Sequence, residues 1–372
     1  MYAARLDKLR RLLKGAGLAS AAAIAGPNLY YLTGLSFHLS ERPTVGFFPA
    51  AGDPVLVVPK LEESKVQARL PYPAHTFTYT DADGPAAAFA QAAAALKHGS
   101  RDSFRLGVEA RRMRVMELHL VEEALGLTGV DEAEALFAQL RMCKDAAEIA
   151  KMRAAVQVAQ RALLETLPLV RVGMTEREIA SELLVQTLRA GSDAELPFAP
   201  IIASGPNGAL PHASVTDRRL QPGDLLTIDW GAAKDGYVAD LTRTYAIDEV
   251  SAEFQRIYAL VQAANAAGRA AARPGVTCAS IDAAARQAIA AGGYGEYFVH
   301  RVGHGLGLEG HEDPSMHGQN QTVLAEGMTF TVEPGIYLPE RGGVRIEDDV
   351  VVTADGAESL STLPRELQVI AR

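Results

Sequence analysis

Asp229, Asp240, His304, Glu333 and Glu347 form an ordered set of metal-ligand candidates in the C-terminal half of this chain. They occur in Leu226-Thr227-Ile228-Asp229-Trp230-Gly231, Val238-Ala239-Asp240-Leu241-Thr242-Arg243-Thr244, Gly303-His304-Gly305-Leu306-Gly307, Phe330-Thr331-Val332-Glu333-Pro334-Gly335 and Val344-Arg345-Ile346-Glu347-Asp348. Four carboxylates and one imidazole suit two divalent cations sharing oxygen ligands, because the four negative charges balance two doubly charged ions. Paired metals about 3.5–4 Å apart are a recurrent device for making hydroxide near neutral pH. The residue types therefore point to a two-metal hydrolase. A lone strand Asp or Glu is ordinarily a solvated edge or turn residue. Here apolar runs such as Leu225-Leu226-Thr227-Ile228 lead straight into the acids. A buried, uncompensated carboxylate is costly, so such flanks call for cations.

Positioning these groups requires particular elements. Asp235-Gly236 is a strong two-residue hairpin signal. With that turn Asp229 opposes Thr242, and Asp240 becomes the diagonal neighbour of Asp229 on the same face. A one-residue slip would turn one acid away. Arg345 and Glu347, two apart on an expected strand 343–353, share a face, so an arginine lies beside the acids to orient a ligand or hold substrate. The glycines around His304 exclude a stable helix and let backbone approach a ligand closely. Asp145 with Glu148 and Thr175 with Glu178 are capping-box patterns opening helices over 145–166 and 175–190. Ser251 and Ser280 are expected to cap two more helices, the last ending at Gly292-Gly293. Strands are expected at 223–230, 236–247 and 327–333. Two helices followed by a hairpin with two acids thus occur twice, which predicts related halves facing a common axis.

The first 140 residues read as alternating helices and strands, with an amphipathic helix at 3–16, a buried strand at Val55-Leu56-Val57-Val58, and helical segments at 85–98 and around Glu117–Glu123. His75, His98 and His119 are expected to be surface or packing residues. At 372 residues two domains are the default, divided at 1–140 and 141–372. A net charge of −9 argues against nucleic acid, which needs a basic face. Cys143 and Cys278 follow no metal or redox spacing and read as free thiols. No run of about 18 apolar residues predicts a membrane span. Leu6, Leu9, Leu12 and Leu13 repeat at helical spacing rather than forming a secretory leader, so cytoplasmic residence is expected.

At these residues the chain resembles the creatinase, prolidase and methionine aminopeptidase superfamily. Asp-Trp-Gly at 229–231, Gly-Tyr-Val-Ala-Asp-Leu-Thr-Arg-Thr at 236–244, His-Gly-Leu-Gly at 304–307, His311-Glu312, Val-Glu-Pro-Gly at 332–335 and Arg-Ile-Glu at 345–347 fit in order. The resemblance implies an α+β, two-domain protein: an N-terminal creatinase-like α/β domain and a C-terminal pita-bread domain with a pseudo-two-fold repeat. It also implies two Mn, Co, Fe or Zn ions, with Asp240 and Glu347 bridging. His212 in Leu210-Pro211-His212-Ala213-Ser214 and His311 match the family's catalytic positions, for substrate binding, proton transfer and contact with the scissile carbonyl. Glu333 resembles a ligand that also shuttles protons, and Arg345 stands among the catalytic residues.

The N-terminal segment Asn28-Leu29-Tyr30-Tyr31-Leu32-Thr33-Gly34 resembles the extra domain of Xaa-Pro peptidases, so the resemblance implies short proline-containing peptides as substrates and a homodimer. Many prolidases carry an arginine soon after the His-Glu pair. Here Asp313-Pro314-Ser315-Met316-His317 has none. Phe37-His38-Leu39-Ser40-Glu41-Arg42-Pro43 resembles a prolidase loop that reaches a neighbouring protomer's site, which makes His38 and Arg42 candidate readers of the substrate carboxylate. A dipeptidase is favoured narrowly over an aminopeptidase acting on longer peptides. A metal-free binding module of the same fold would show lost ligands, and none is lost.

Overall fold

The computed structural model describes residues 1–96 and 104–371. The chain divides into two compact units, Met1–Arg141 and Met142–Arg372. Among the described residues the first unit is built on one mixed six-stranded sheet, in the order His75–Tyr79, Val55–Pro59, Val45–Pro49, Ser20–Ile24, Leu106–Val108, Asp131–Glu132. Helices Tyr2–Ala16, Ala86–Leu96 and Val115–Leu125 belong to this unit. Ile24, Phe47, Val57, Phe89, Val108 and Val121 meet in a core between sheet and helices. His75 and His119 are exposed, as expected; His98 lies outside the described residues. No helix among the described residues is long and apolar enough to cross a membrane.

The second unit repeats one plan. Helices Ala146–Thr166 and Glu176–Arg189 precede the paired strands Leu225–Lys234 and Tyr237–Ile247, and helices Ala252–Ala271 and Cys278–Ala291 precede the paired strands Thr329–Val332 and Asp348–Val352. Each helix pair covers its own apolar core. The buried Trp230 ties the first pair to its sheet by donating its indole N–H to the Ala159 carbonyl at 2.9 Å. Both capping boxes form, at Asp145 with Glu148 and Thr175 with Glu178. Ser251 caps its helix as expected. The fourth helix is capped by Thr277, three residues before Ser280, because Thr277 already has the extended backbone a cap requires.

Asp235 and Gly236 both take positive φ, 50° and 78°, as the tight hairpin demands. The register is the one that turn dictates: Asp229 pairs with Thr242, and Asp240 with Gly231. The expected strand 343–353 is instead two pieces. Gly342–Arg345 pairs with Gly335–Leu338, Glu347 forms an isolated bridge to Thr242, and only from Asp348 does the chain join the five-stranded sheet. The break at Ile346 moves the chain from one pairing partner to another. Glu347 donates its N–H to the Thr242 carbonyl at 3.1 Å and so links the two halves.

Candidate active site

A cavity of about 540 Å³ in the second unit is lined by all the acids singled out above, with His304, Arg345, His212 and His311. The hairpin supplies Asp229 and Asp240 from one half. The other half supplies Glu333 just after its strand Thr329–Val332 and Glu347 at the Thr242 bridge. His304 comes from the short strand Gly303–Gly305, where the pairing with Glu312–Met316 slips between His304 and Gly305. Such a bulge re-aims a side chain. The flanking glycines serve the sheet rather than a ligand. A Cβ on Gly303 would overlap the Thr331 carbonyl, and one on Gly305 the Asp313 carbonyl.

Asp240, His304 and Glu347 each offer a ligand atom, all within 4.8 Å of one another. His304 Nδ1 faces the Gly305 carbonyl at 3.1 Å, so Nδ1 carries the hydrogen. Nε2 is left with its lone pair toward Glu333 Oε1 at 3.4 Å and Asp240 Oδ2 at 3.6 Å. Burial, then His311, pushes the His304 pKa down to about 3, which keeps the ring neutral and ready to coordinate. Burial drives the Asp240 carboxyl well above its ordinary range, reinforced by Asp229 and Asp349; it does the same to Glu347, reinforced by Asp240 and Glu333. Glu333 is pushed up to about 7 by burial despite Arg345. Asp229 Oδ1 is buried without a hydrogen-bond partner. An orphaned oxygen, crowded anions and an oxygen-rich donor set with one imidazole fit divalent cations.

Arg345 organises the acids. Its guanidinium donates to Asp229 Oδ2 at 2.5 Å, to the Tyr337 hydroxyl at 2.9 Å, to the Pro211 carbonyl at 3.2 Å and to Thr242 Oγ1 at 3.2 Å. Thr242 in turn donates to Glu347 Oε2 at 2.6 Å. One buried cation thereby orients an acid from each half. The Tyr337 hydroxyl also meets His300 Nε2 at 2.9 Å. Burial pushes the His300 pKa down to about 4.

Beyond the acids, His311 stacks on His304 with ring centroids 3.8 Å apart. His212 is exposed and makes no hydrogen bond among the described residues. The sequence reading missed His300, Tyr337 and Arg301. Arg301 lines the cavity, donates to Ser315 Oγ at 2.9 Å and approaches His311 Nδ1 at 3.4 Å. No carboxylate pairs with Arg301 among the described residues. The available signal was its position three residues before the ligand candidate His304. In the first unit, Arg42 is already engaged: it grips Asp81 through two bonds of 2.7 and 2.8 Å, and Glu41 at 2.8 Å. His38 is exposed.

Two helix pairs, each covering paired strands, with buried metal-ligand candidates contributed by both halves, define a pita-bread metallopeptidase. The chain belongs to metallopeptidase family M24, which matches residues 150–354, while residues 5–143 match the creatinase/prolidase N-terminal domain. It is 37% identical to the probable dipeptidase PepE of Mycobacterium tuberculosis, over 100% of this chain and 97% of that protein. Among solved structures it is similar to the prolidase from Thermococcus sibiricus, with TM-score 0.92, 31% identity and 99% of each chain covered. It is similar too to the X-Pro aminopeptidase from Thermotoga maritima, with TM-score 0.82, 31% identity, and 98% and 99% covered.

Proposed function

We propose that this chain is a metal-dependent Xaa-Pro dipeptidase. The observation that carries the dipeptide reading is Arg301, a guanidinium with no carboxylate in salt-bridge contact among the described residues, beside His311 on the cavity wall. It supplies the cation missing from 313–317, and an arginine can bind a carboxylate in a strong, bidentate geometry. Asp229, Asp240, His304, Glu333 and Glu347 would hold two divalent ions, of Mn, Co, Fe or Zn. When bound, these supply Lewis acidity that polarises the scissile carbonyl and acidifies water. His311, with Nδ1 facing Arg301, presents an Nε2–H donor to the carbonyl oxygen. Phe198, Ala199 and Ile201 form an apolar wall for the substrate's side chains. His212 binds substrate and assists proton transfer. Glu333 passes a proton to the departing proline nitrogen, which as a tertiary amide has no N–H of its own. Arg345 holds Asp229 and, through Thr242, Glu347.

The second reading is an Xaa-Pro aminopeptidase, favoured by the lack of an arginine in 313–317, the stretch after His311-Glu312 where many prolidases carry one. Ala-Pro, Ala-Pro-Ala and longer peptides, assayed with metal-loaded protein, separate the two. Faster turnover of Ala-Pro supports the dipeptidase; faster turnover of longer peptides sinks it. Activity that survives complete metal removal sinks both. From the helical spacing of the N-terminal leucines we also infer cytoplasmic residence, and from the family resemblance a homodimer in which His38 and Arg42 approach a neighbouring copy's site. Arg42 would have to exchange Asp81 for substrate. Sedimentation gives the oligomeric state, and Arg42→Ala should raise KM for dipeptides more than for tripeptides.

A further inference from the structure

Glu176, the first residue of helix Glu176–Arg189, is fully buried and has no basic side chain bonded to it among the described residues. Its carboxylate instead collects five donors. Oε1 accepts from the Ser204 N–H at 2.7 Å and the Ser204 hydroxyl at 2.8 Å. Oε2 accepts from Asn207 Nδ2 at 2.8 Å, the Thr216 N–H at 3.0 Å and the Thr216 hydroxyl at 2.7 Å. The exchange is reciprocal, for Glu176 N–H donates to the Arg218 carbonyl at 3.1 Å and Arg177 N–H to the Thr216 carbonyl at 3.2 Å. The same segment thus satisfies the free N–H groups that open the helix.

These donors bracket the stretch that carries His212. Ser204 and Asn207 precede His212 and Thr216 follows it, so a single carboxylate clasps both arms of the loop that carries the imidazole. His212 itself makes no hydrogen bond among the described residues, and its place over the cavity is therefore set by its backbone. The loop is tethered besides by the Pro211 carbonyl, held by Arg345, by Asn207 Nδ2 donating to the Ser214 carbonyl at 3.1 Å, and by Arg218 donating to the Ser204 hydroxyl at 2.8 Å. Charge-assisted bonds to a carboxylate are stronger and shorter than neutral ones, which suits a clasp on otherwise irregular chain.

We propose that Glu176 is a positioning residue for His212, acting through the 204–216 loop. This rests on the reading that His212 handles substrate. Glu176→Gln keeps the shape but turns an acceptor into a donor facing donors. Hydrogen–deuterium exchange on the full-length, metal-loaded chain should show amides of 205–216 exchanging at least about tenfold faster, with the 229–240 strands unchanged. For Ala-Pro, kcat/KM should fall about 10–100-fold, the scale of a small misplacement of a reacting group. In a His212→Ala background the same substitution should add less than about twofold, because residues acting as one unit are not additive. Unchanged exchange in the loop, uniformly faster exchange across the whole unit, or losses that multiply fully with His212→Ala overturn the proposal. A loosened loop with full turnover in His212→Ala would leave the clasp standing and remove the catalytic reading of His212. Should Glu176→Gln not fold, Thr216→Val deletes one donor at constant shape, and the same outcomes decide.

Discussion

Glu347 and Asp348 are consecutive, both buried, and electrostatically opposite. Glu347 turns into the cavity among Asp240, Glu333 and Asp229, and burial with those neighbours pushes its carboxyl far up. Asp348 turns the other way, where Arg243 Nη2 lies 2.8 Å, Arg365 Nε 2.7 Å and Arg269 Nε 3.6 Å from its oxygens. Burial pushes it up as well, but Arg243 and Arg365 outweigh that and hold the carboxyl well below its ordinary range. Alternation along an extended chain separates the two environments. In this pair the acid furnished with arginines is balanced by the protein itself, and the one set among other acids carries the charge that the proposed cations would balance.

Several measurements can break this comparison. The largest effect is expected for Asp240→Ala, which should abolish peptide hydrolysis while circular dichroism stays native. Bound metal near two equivalents in that variant, with turnover intact, would remove Asp240 from the ligand set; wild-type turnover with less than about one equivalent would refute the two-ion reading. Next, Asp348→Asn strands Arg243 and should cost about 3–5 kcal/mol in urea unfolding. The neighbouring Glu347→Gln should instead stabilise the metal-free chain at neutral pH. Its raised carboxyl contributes stability fully below about pH 4.5 and loses it as pH rises through the folded value. Equal destabilisation by both variants would erase the contrast.

His311→Ala should lower kcat by roughly 10²–10⁴ with metal content unchanged, the range for a general acid–base group. Arg301→Ala should raise KM for Ala-Pro by roughly 30-fold, for about 2 kcal/mol of charged hydrogen bonding, and far less for Ala-Pro-Ala. Equal effects on both lengths would remove Arg301 as carboxylate reader.

The smallest effect extends the comparison to a third kind of buried acid. Glu109 receives the Ile24 N–H and Asn28 Nδ2, both at 2.7 Å, and burial pushes it up to about 6 against the pull of Arg112. Its stability contribution is full below about pH 4.5 and is lost as pH rises through about 6. Glu109→Gln should flatten that slope by about 1–2 kcal/mol between pH 4.5 and 7. An unchanged slope would mean that Glu109 titrates alike in the folded and unfolded chain.

Sequence made the hairpin acids legible because Asp235-Gly236 dictates a turn and the turn dictates a register. The repeat of two helices and a hairpin was legible for a similar reason: caps and periodicity are local. What stayed hidden was set by partners distant in sequence. Glu347 leaves its expected strand because Thr242, 105 positions away, claims its backbone. Tyr337 carries no local pattern and Arg301 only its nearness to His304; the fold alone supplies their partners. Glycine density near His304 was read correctly as close approach, but the approaching groups are neighbouring strands.

Those glycines bear on any attempt to redesign specificity. Gly303 and Gly305 are not among the residues lining the cavity, yet each lies where another backbone carbonyl fills the space of a side chain. A saturation library should find almost no tolerated replacement at either position, and variation there would be wasted. Phe198, Ala199 and Ile201 line the same cavity outside the set of groups that grip one another, so sequence diversity belongs in that wall.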